Sequence, residues 1–193
     1  MEKVLFLDAC IREEGSRTKQ LCEVYLEEFC KAHPDAEVER LVLRDGVVKT
    51  HTLEKLEERD ACVRAGNWDH PMFDLGKQYR DADYIIIGTP YWDLSFAAIL
   101  KVYLENIMVA DLTFGCNDQG FYGLCKGKMM TYITTGGGVI DGQNYGYEYM
   151  QAIAKMTGID DTECFYAQNL DIVGFDADAI MEEAKEMIRE AFK

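Results

Sequence analysis

Residues 3–18 read Lys3-Val4-Leu5-Phe6-Leu7-Asp8, then Ala9-Cys10-Ile11-Arg12-Glu13-Glu14-Gly15-Ser16-Arg17-Thr18. The first six are an apolar run bounded by a polar loop, which predicts a buried strand. From Thr18 to Ala32, apolar residues recur at Leu21, Val24, Tyr25 and Phe29, the spacing of one helical face. The loop between strand and helix therefore ends at a helix N-terminus, where unpaired N–H groups and the helix dipole favour an anion. Ser16 and Thr18 add hydroxyl donors there, and Arg12 and Arg17 add charge. The same residues also suit plain N-capping by Ser16 or Thr18 with no ligand.

The same rhythm continues outward from this segment. His33-Pro34-Asp35 stops the helix, 36–43 predicts a second strand, and 53–66 and 72–80 predict helices. Tyr84–Gly88 is apolar throughout, as a parallel strand covered on both faces is. A helix is expected over Ser95–Met108, and a long loop with room for a short hairpin over Thr113–Lys128. Met129–Thr135 predicts a fourth strand, and Tyr147–Thr157 a helix closed by Gly158. A fifth strand begins at Glu163–Tyr166, and Asp176–Phe192 predicts a last helix. Alternating strands and helices imply an α/β three-layer sandwich built on a parallel sheet, here one domain over residues 1–193. Right-handed crossovers with five strands point to the order 2-1-3-4-5, with a crevice beyond the C-terminal ends of strands one and three.

In that topology the loops after strands one, three and four open on one edge. The second of them, Thr89-Pro90-Tyr91-Trp92-Asp93-Leu94-Ser95, offers two aromatics as a wall for a planar ligand, or as a cover for the sheet end or a dimer contact. The third, Thr134-Thr135-Gly136-Gly137-Gly138, lets backbone approach a ligand closely and exposes N–H groups, or merely turns the chain.

Composition narrows the function classes. The formal net charge of −15 opposes nucleic acid and anionic membrane surfaces, and any anionic cofactor must rely on local donors. No apolar run approaches the length of a membrane span, and the N-terminus does not read as a secretory signal, so a cytoplasmic location is expected. Seven cysteines without C-x-x-C spacing, and three scattered histidines, nominate no metal site and suit free thiols in a reducing compartment. Cys10 and Arg17 superficially resemble a phosphatase loop, but six residues separate them where five are needed.

Taken together, the ordered segments resemble the FMN-dependent azoreductase and NAD(P)H:quinone oxidoreductase group of the flavodoxin-like superfamily. Gly15-Ser16-Arg17-Thr18 is similar to its serine-rich phosphate loop. Pro90-Tyr91-Trp92-Asp93-Leu94 with Leu100-Lys101-Val102-Tyr103-Leu104-Glu105 is similar to its P-x-Y-N-F…LK segment. Gly123-Leu124-Cys125-Lys126-Gly127-Lys128 is similar to its G-L-x-x-G-K, and Thr135-Gly136-Gly137-Gly138 stands where the group has S-R-G-G. Thr157-Gly158-Ile159 and Glu163–Ala167 resemble its closing segments.

The resemblance implies FMN as cofactor and NADH or NADPH as co-substrate. It also implies ping-pong transfer to a small-molecule acceptor, a quinone, azo compound or nitro-aromatic, in a homodimer. It assigns Cys10, Arg12, Ser16, Arg17 and Thr18 to the phosphate end. Pro90, Tyr91, Trp92, Asp93 and Leu94 would line the ring edge, and Thr135, Gly136, Gly137 and Gly138 the pyrimidine end. Tyr145 and Tyr147 become candidates to stack on the acceptor, with packing as their alternative. The Phe114–Tyr122 stretch would complete the partner's site, and no side chain is nominated as general acid. Asp93 replaces the group's asparagine, which places an extra carboxylate at the expected ring edge and implies a lowered flavin potential. A flavodoxin-type electron carrier and a flavin-free binding protein are the rival readings.

Overall fold

Within each central strand, successive side chains point to opposite faces, and both faces are apolar. In the computed structural model, which describes all of residues 1–193, this alternation builds two cores on one sheet. In chain order the elements are β1 (Lys3–Asp8), α1 (Arg17–Ala32), β2 (Glu37–Val42), α2 (Leu53–Ala65), α3 (Asp74–Asp81), β3 (Tyr84–Gly88), β4 (Tyr91–Trp92), β5 (Ser95–Phe96), α4 (Ala98–Ile107), β6 (Phe114–Asn117), β7 (Gly120–Gly123), β8 (Met129–Thr135), α5 (Tyr145–Thr157), β9 (Asp161–Ala167) and α6 (Ala177–Ala191). Five of the strands form an all-parallel sheet in the order β2-β1-β3-β8-β9, the predicted 2-1-3-4-5.

Leu5, Leu7, Ile85, Ile87, Met130 and Tyr132 point into the core covered by α3, α4 and α5. Val4, Phe6, Ile86 and Ile133 point into the other, covered by α1 and α6. Full burial of each such aliphatic side chain stabilises by about 1.5–3 kcal/mol, so the central strands are the most strongly held part of the chain. Helix α2 has no buried residue. It rests through Cys62 and Val63 on a small cluster of Phe73, Val109 and Leu112.

Several boundaries differ from the sequence reading, each for a local reason. Ser95 does not open the helix. It is a strand residue paired with Trp92 in a hairpin whose turn, Asp93-Leu94, has the two positive φ values (49° and 67°) that a two-residue hairpin turn requires. Helix α4 starts at Ala98, after the Thr89 hydroxyl has accepted the Ala97 N–H at 3.2 Å. Within Thr113–Lys128, β6 and β7 form the short antiparallel hairpin for which that loop had room. Helix α5 begins two residues early because Asn144 Oδ1 caps the Tyr147 N–H at 3.1 Å. Strand β9 runs the full length of β8 beside it, from Asp161 to Ala167.

Candidate functional site

The switch point falls between β1 and β3, and a cavity of about 350 Å³ opens there at the C-terminal edge of the sheet. The three loops singled out above meet on it. Cys10, Arg12, Ser16, Arg17 and Thr18 come from the first, Pro90, Tyr91 and Trp92 from the second, and Thr135, Gly136 and Gly137 from the third. A larger surface groove lies toward the N-terminal ends of β1 and β2 beside α3, away from these loops.

One end of the cavity gathers hydroxyls, a helix N-terminus and two arginines, groups that can hold an anion. Ser16 Oγ accepts the Lys19 N–H at 3.2 Å and so caps α1 at the rim of the cavity. The first N–H groups of α1 have no partner within the helix. The buried hydroxyls of Thr18 and Thr135 lie 2.6 Å apart and tie the first loop to the third. Two hydroxyls sharing one bond use one proton, so the second is left for a ligand. Arg12 has no carboxylate within ion-pair reach, whereas Arg17 Nη2 is held 2.7 Å from Asp171 Oδ1. Glu13 and Glu14 are exposed and do not line the cavity.

The glycine loop departs from expectation at two positions. The Gly136 N–H donates to the Ala167 carbonyl at 2.9 Å and is not available to a ligand. Gly138 does not line the cavity; its carbonyl accepts the Asn169 N–H at 2.9 Å. The Gly137 and Gly138 N–H groups have no protein partner. The loop is pinned by the segment after β9, because Leu170 and Asp171 donate to the Gly136 and Gly137 carbonyls. Leu170 and Asp171 are thus part of the cavity wall, as is Ile11, and the sequence reading missed all three. A signal existed: strand five is also parallel, so the loop after it opens on the same edge.

Four further candidates lie outside the cavity lining, two of them, Tyr145 and Tyr147, with packing as their alternative. Asp93 and Leu94 sit at the hairpin turn, exposed and outside the cavity lining, because their residues form the bend rather than its arms. Leu94 holds a left-handed conformation that costs a non-glycine residue about 1–3 kcal/mol. Tyr147 stacks on Tyr132, with ring centroids 6.0 Å apart, and its hydroxyl lies 3.1 Å from Thr162 Oγ1, so it is committed to packing. Tyr145 is half exposed in the first turn of α5 and is not among the cavity-lining residues. Tyr91 is fixed in the wall by a 2.9 Å bond from its hydroxyl to the Gln143 carbonyl.

Cys10 is buried against the Gly88 carbonyl, and burial first, then the Asp8 carboxylate, pushes its thiol up to about 12. A phosphatase needs the thiolate, which this environment suppresses. In the native protein near neutral pH, iodoacetamide is expected to modify the exposed Cys30 and Cys116 and to leave Cys10 unmodified, as peptide mass spectrometry would show.

Comparison with known proteins fits this geometry. Residues 2–192 match the family model for the flavodoxin-like fold. The FMN-dependent NADH:quinone oxidoreductase 2 of Clostridium acetobutylicum is 34% identical over 98% of this chain and 100% of its own length. The chain belongs to that family. A second member, from Coprothermobacter proteolyticus, is 32% identical over 98% of this chain and 100% of its own length. Among solved structures, an FMN-dependent NADH-azoreductase of Bacillus anthracis in complex with FMN superposes with a TM-score of 0.87. At 23% identity over 100% of this chain and 98% of that one, it supports the fold alone. Family membership agrees with the order of the sheet and with the placement of the cavity at its switch point.

Proposed function

We propose that this chain is an FMN-dependent NADH:quinone oxidoreductase that also accepts azo and nitro-aromatic compounds. One observation carries the reading: a phosphate-type donor set, an aromatic wall and the unpartnered Gly137 N–H converge on one cavity at the switch point. The residues fit the flavin. Ser16, Thr18, Arg12, Arg17 and the N-terminus of α1 would hold its phosphate, with Cys10 packed beneath. Pro90, Tyr91 and Trp92 would flank the ring. The Gly137 N–H would face the pyrimidine end, where fixed donors stabilise the charge that grows on reduction. Bound FMN would supply the redox chemistry, the transfer of reducing equivalents from NADH to the acceptor in the proposed ping-pong reaction. The protein positions it. The 2.6 Å Thr18–Thr135 contact locks the phosphate end to the glycine end, and the hydrogen bonds from residues 169–171 keep the glycine loop from closing over the cavity.

We further propose a homodimer. Phe121 is 67% exposed on β7 of the β6–β7 hairpin and Val173 is 99% exposed in the loop after β9, apolar surface that a second copy would cover. Seven unpaired cysteines suit the cytoplasm.

The test is direct. Purified protein should take up FMN, have that flavin reduced by NADH alone, turn NADH over catalytically when a quinone or azo acceptor is present, and give the parallel double-reciprocal lines of a ping-pong enzyme. A colourless protein that does not bind added FMN overturns the reading. A flavin-loaded protein that NADH cannot reduce would instead be an electron carrier. Size-exclusion chromatography with light scattering tests the dimer.

A further inference from the structure

Asp8, the last residue of β1, is buried completely, and its carboxylate needs partners that the phosphate loop alone does not supply. One oxygen accepts the Cys10 N–H at 3.0 Å. The other faces Arg44, which comes from elsewhere in the chain. Register explains how it arrives. Val42, the last residue of β2, lies beside Asp8, and a short 3₁₀ turn over Leu43–Asp45 then swings Arg44 over the end of β1. Gly46, in the left-handed conformation (φ 78°), closes that turn.

From there Arg44 touches the phosphate loop at three points. Nη1 lies 3.4 Å from Asp8 Oδ2 and donates to the Cys10 carbonyl at 3.1 Å. Nη2 lies 3.8 Å from Glu13 Oε1. The Arg44 side chain is 17% exposed and that of Asp8 not at all, so this pair is largely screened from water. The Glu13 side chain is 79% exposed, and its contact adds little to stability, but it draws that carboxylate toward Arg44 and off the anion cavity. Arg44 does not line the cavity.

We infer that Arg44 is the positioning residue of the phosphate loop: from the neighbouring strand it clamps residues 8–13, with Asp8 as its buried counter-ion, so that Arg12 and the N-terminus of α1 stay turned toward the anion. The inference deepens the FMN reading and rests on it for the identity of that anion. Removing Arg44 strands a buried carboxylate, whereas removing both charges does not. Asn at position 8 keeps an oxygen to accept the Cys10 N–H. The clamp therefore makes a prediction about rescue that a general structural role does not.

The experiment compares Arg44→Met, Arg44→Lys, Asp8→Asn and the Asp8→Asn/Arg44→Met double variant. FMN affinity is read from quenching of flavin fluorescence, and amide hydrogen exchange is read over residues 9–18 of the FMN-free protein. Arg44→Met is expected to weaken FMN binding about tenfold or more and to speed exchange in that loop by a similar factor, while exchange in β3 and β8 is unchanged. Arg44→Lys, which keeps the charge, should recover most of both losses, whereas the double variant, which removes the stranded carboxylate but also the clamp, should keep the faster loop exchange and the weaker binding. Loop exchange unaltered by Arg44→Met, or a double variant that regains wild-type loop exchange and affinity without Arg44, overturns the clamp. Wild-type protein that binds no FMN would overturn the flavin reading instead, and the exchange data would still decide the clamp.

Discussion

Replacing Arg17 by methionine is expected to cost about tenfold to a hundredfold in FMN affinity, while Asp171→Asn is expected to tighten binding by about threefold to tenfold. The opposite signs follow from one geometry. Arg17 Nη2 lies 2.7 Å from Asp171 Oδ1, and both residues line the cavity. Their side chains are 37% and 67% exposed, so the ion pair itself contributes only about 0–1 kcal/mol. A charge-assisted bond to a phosphate in the partly enclosed cavity is worth about 1.5–3 kcal/mol and wins the competition for the guanidinium. Arg17→Met removes that bond and leaves Asp171 facing the phosphate. Asp171→Asn removes a competing carboxylate and keeps the backbone bond from residue 171 to the Gly137 carbonyl. Flavin-fluorescence titrations of both variants check this. Weaker binding by Asp171→Asn would show that Asp171 orients Arg17 for the phosphate rather than competing with it.

The largest expected effect on stability is at Gly123. A Cβ there would lie 2.0 Å from the Gly158 nitrogen and 2.1 Å from the Thr157 carbonyl carbon. These are backbone atoms at the C-terminal end of α5, and no rotamer change moves them aside. Gly123→Ala must push the β6–β7 hairpin off the helix, at the upper end of the roughly 1–3 kcal/mol range for overpacking. For a chain of this size about 3 kcal/mol lowers the melting temperature by about 6–12 °C. Gly138→Ala is the control: its Cβ meets nothing within 4 Å and its φ is not in the left-handed region, so the melting temperature should hold within about 2 °C. Thermal melts of the FMN-free variants separate the two. The hairpin carries exposed Phe121 and Tyr122, so Gly123→Ala should also shift the proposed dimer toward monomer.

The sequence by itself determined the periodic parts of this protein. The apolar runs at Lys3–Asp8, Tyr84–Gly88 and Met129–Thr135 specify strands buried on both faces, and the strand–helix rhythm leaves few topologies for them. That topology alone brought the loops carrying Ser16, Tyr91 and Gly137 to one edge, where the cavity is found. These features were legible because strand period, helix capping and crossover handedness are encoded within a few residues or a single βαβ unit.

What lay beyond the sequence depends on partners far apart in the chain. Arg17 meets Asp171 across 154 residues, and Arg44 reaches Asp8 across 36. The Gly136 N–H, open in any local reading, is spent on Ala167, and Tyr147 is committed to Tyr132 and Thr162. In each case tertiary structure chose among partners that local sequence leaves equivalent. Register between strands, and the need to satisfy each buried polar group, set which carboxylate meets which guanidinium. The cavity was therefore foreseeable as a place, while the donors still free within it were settled only once the strands were paired.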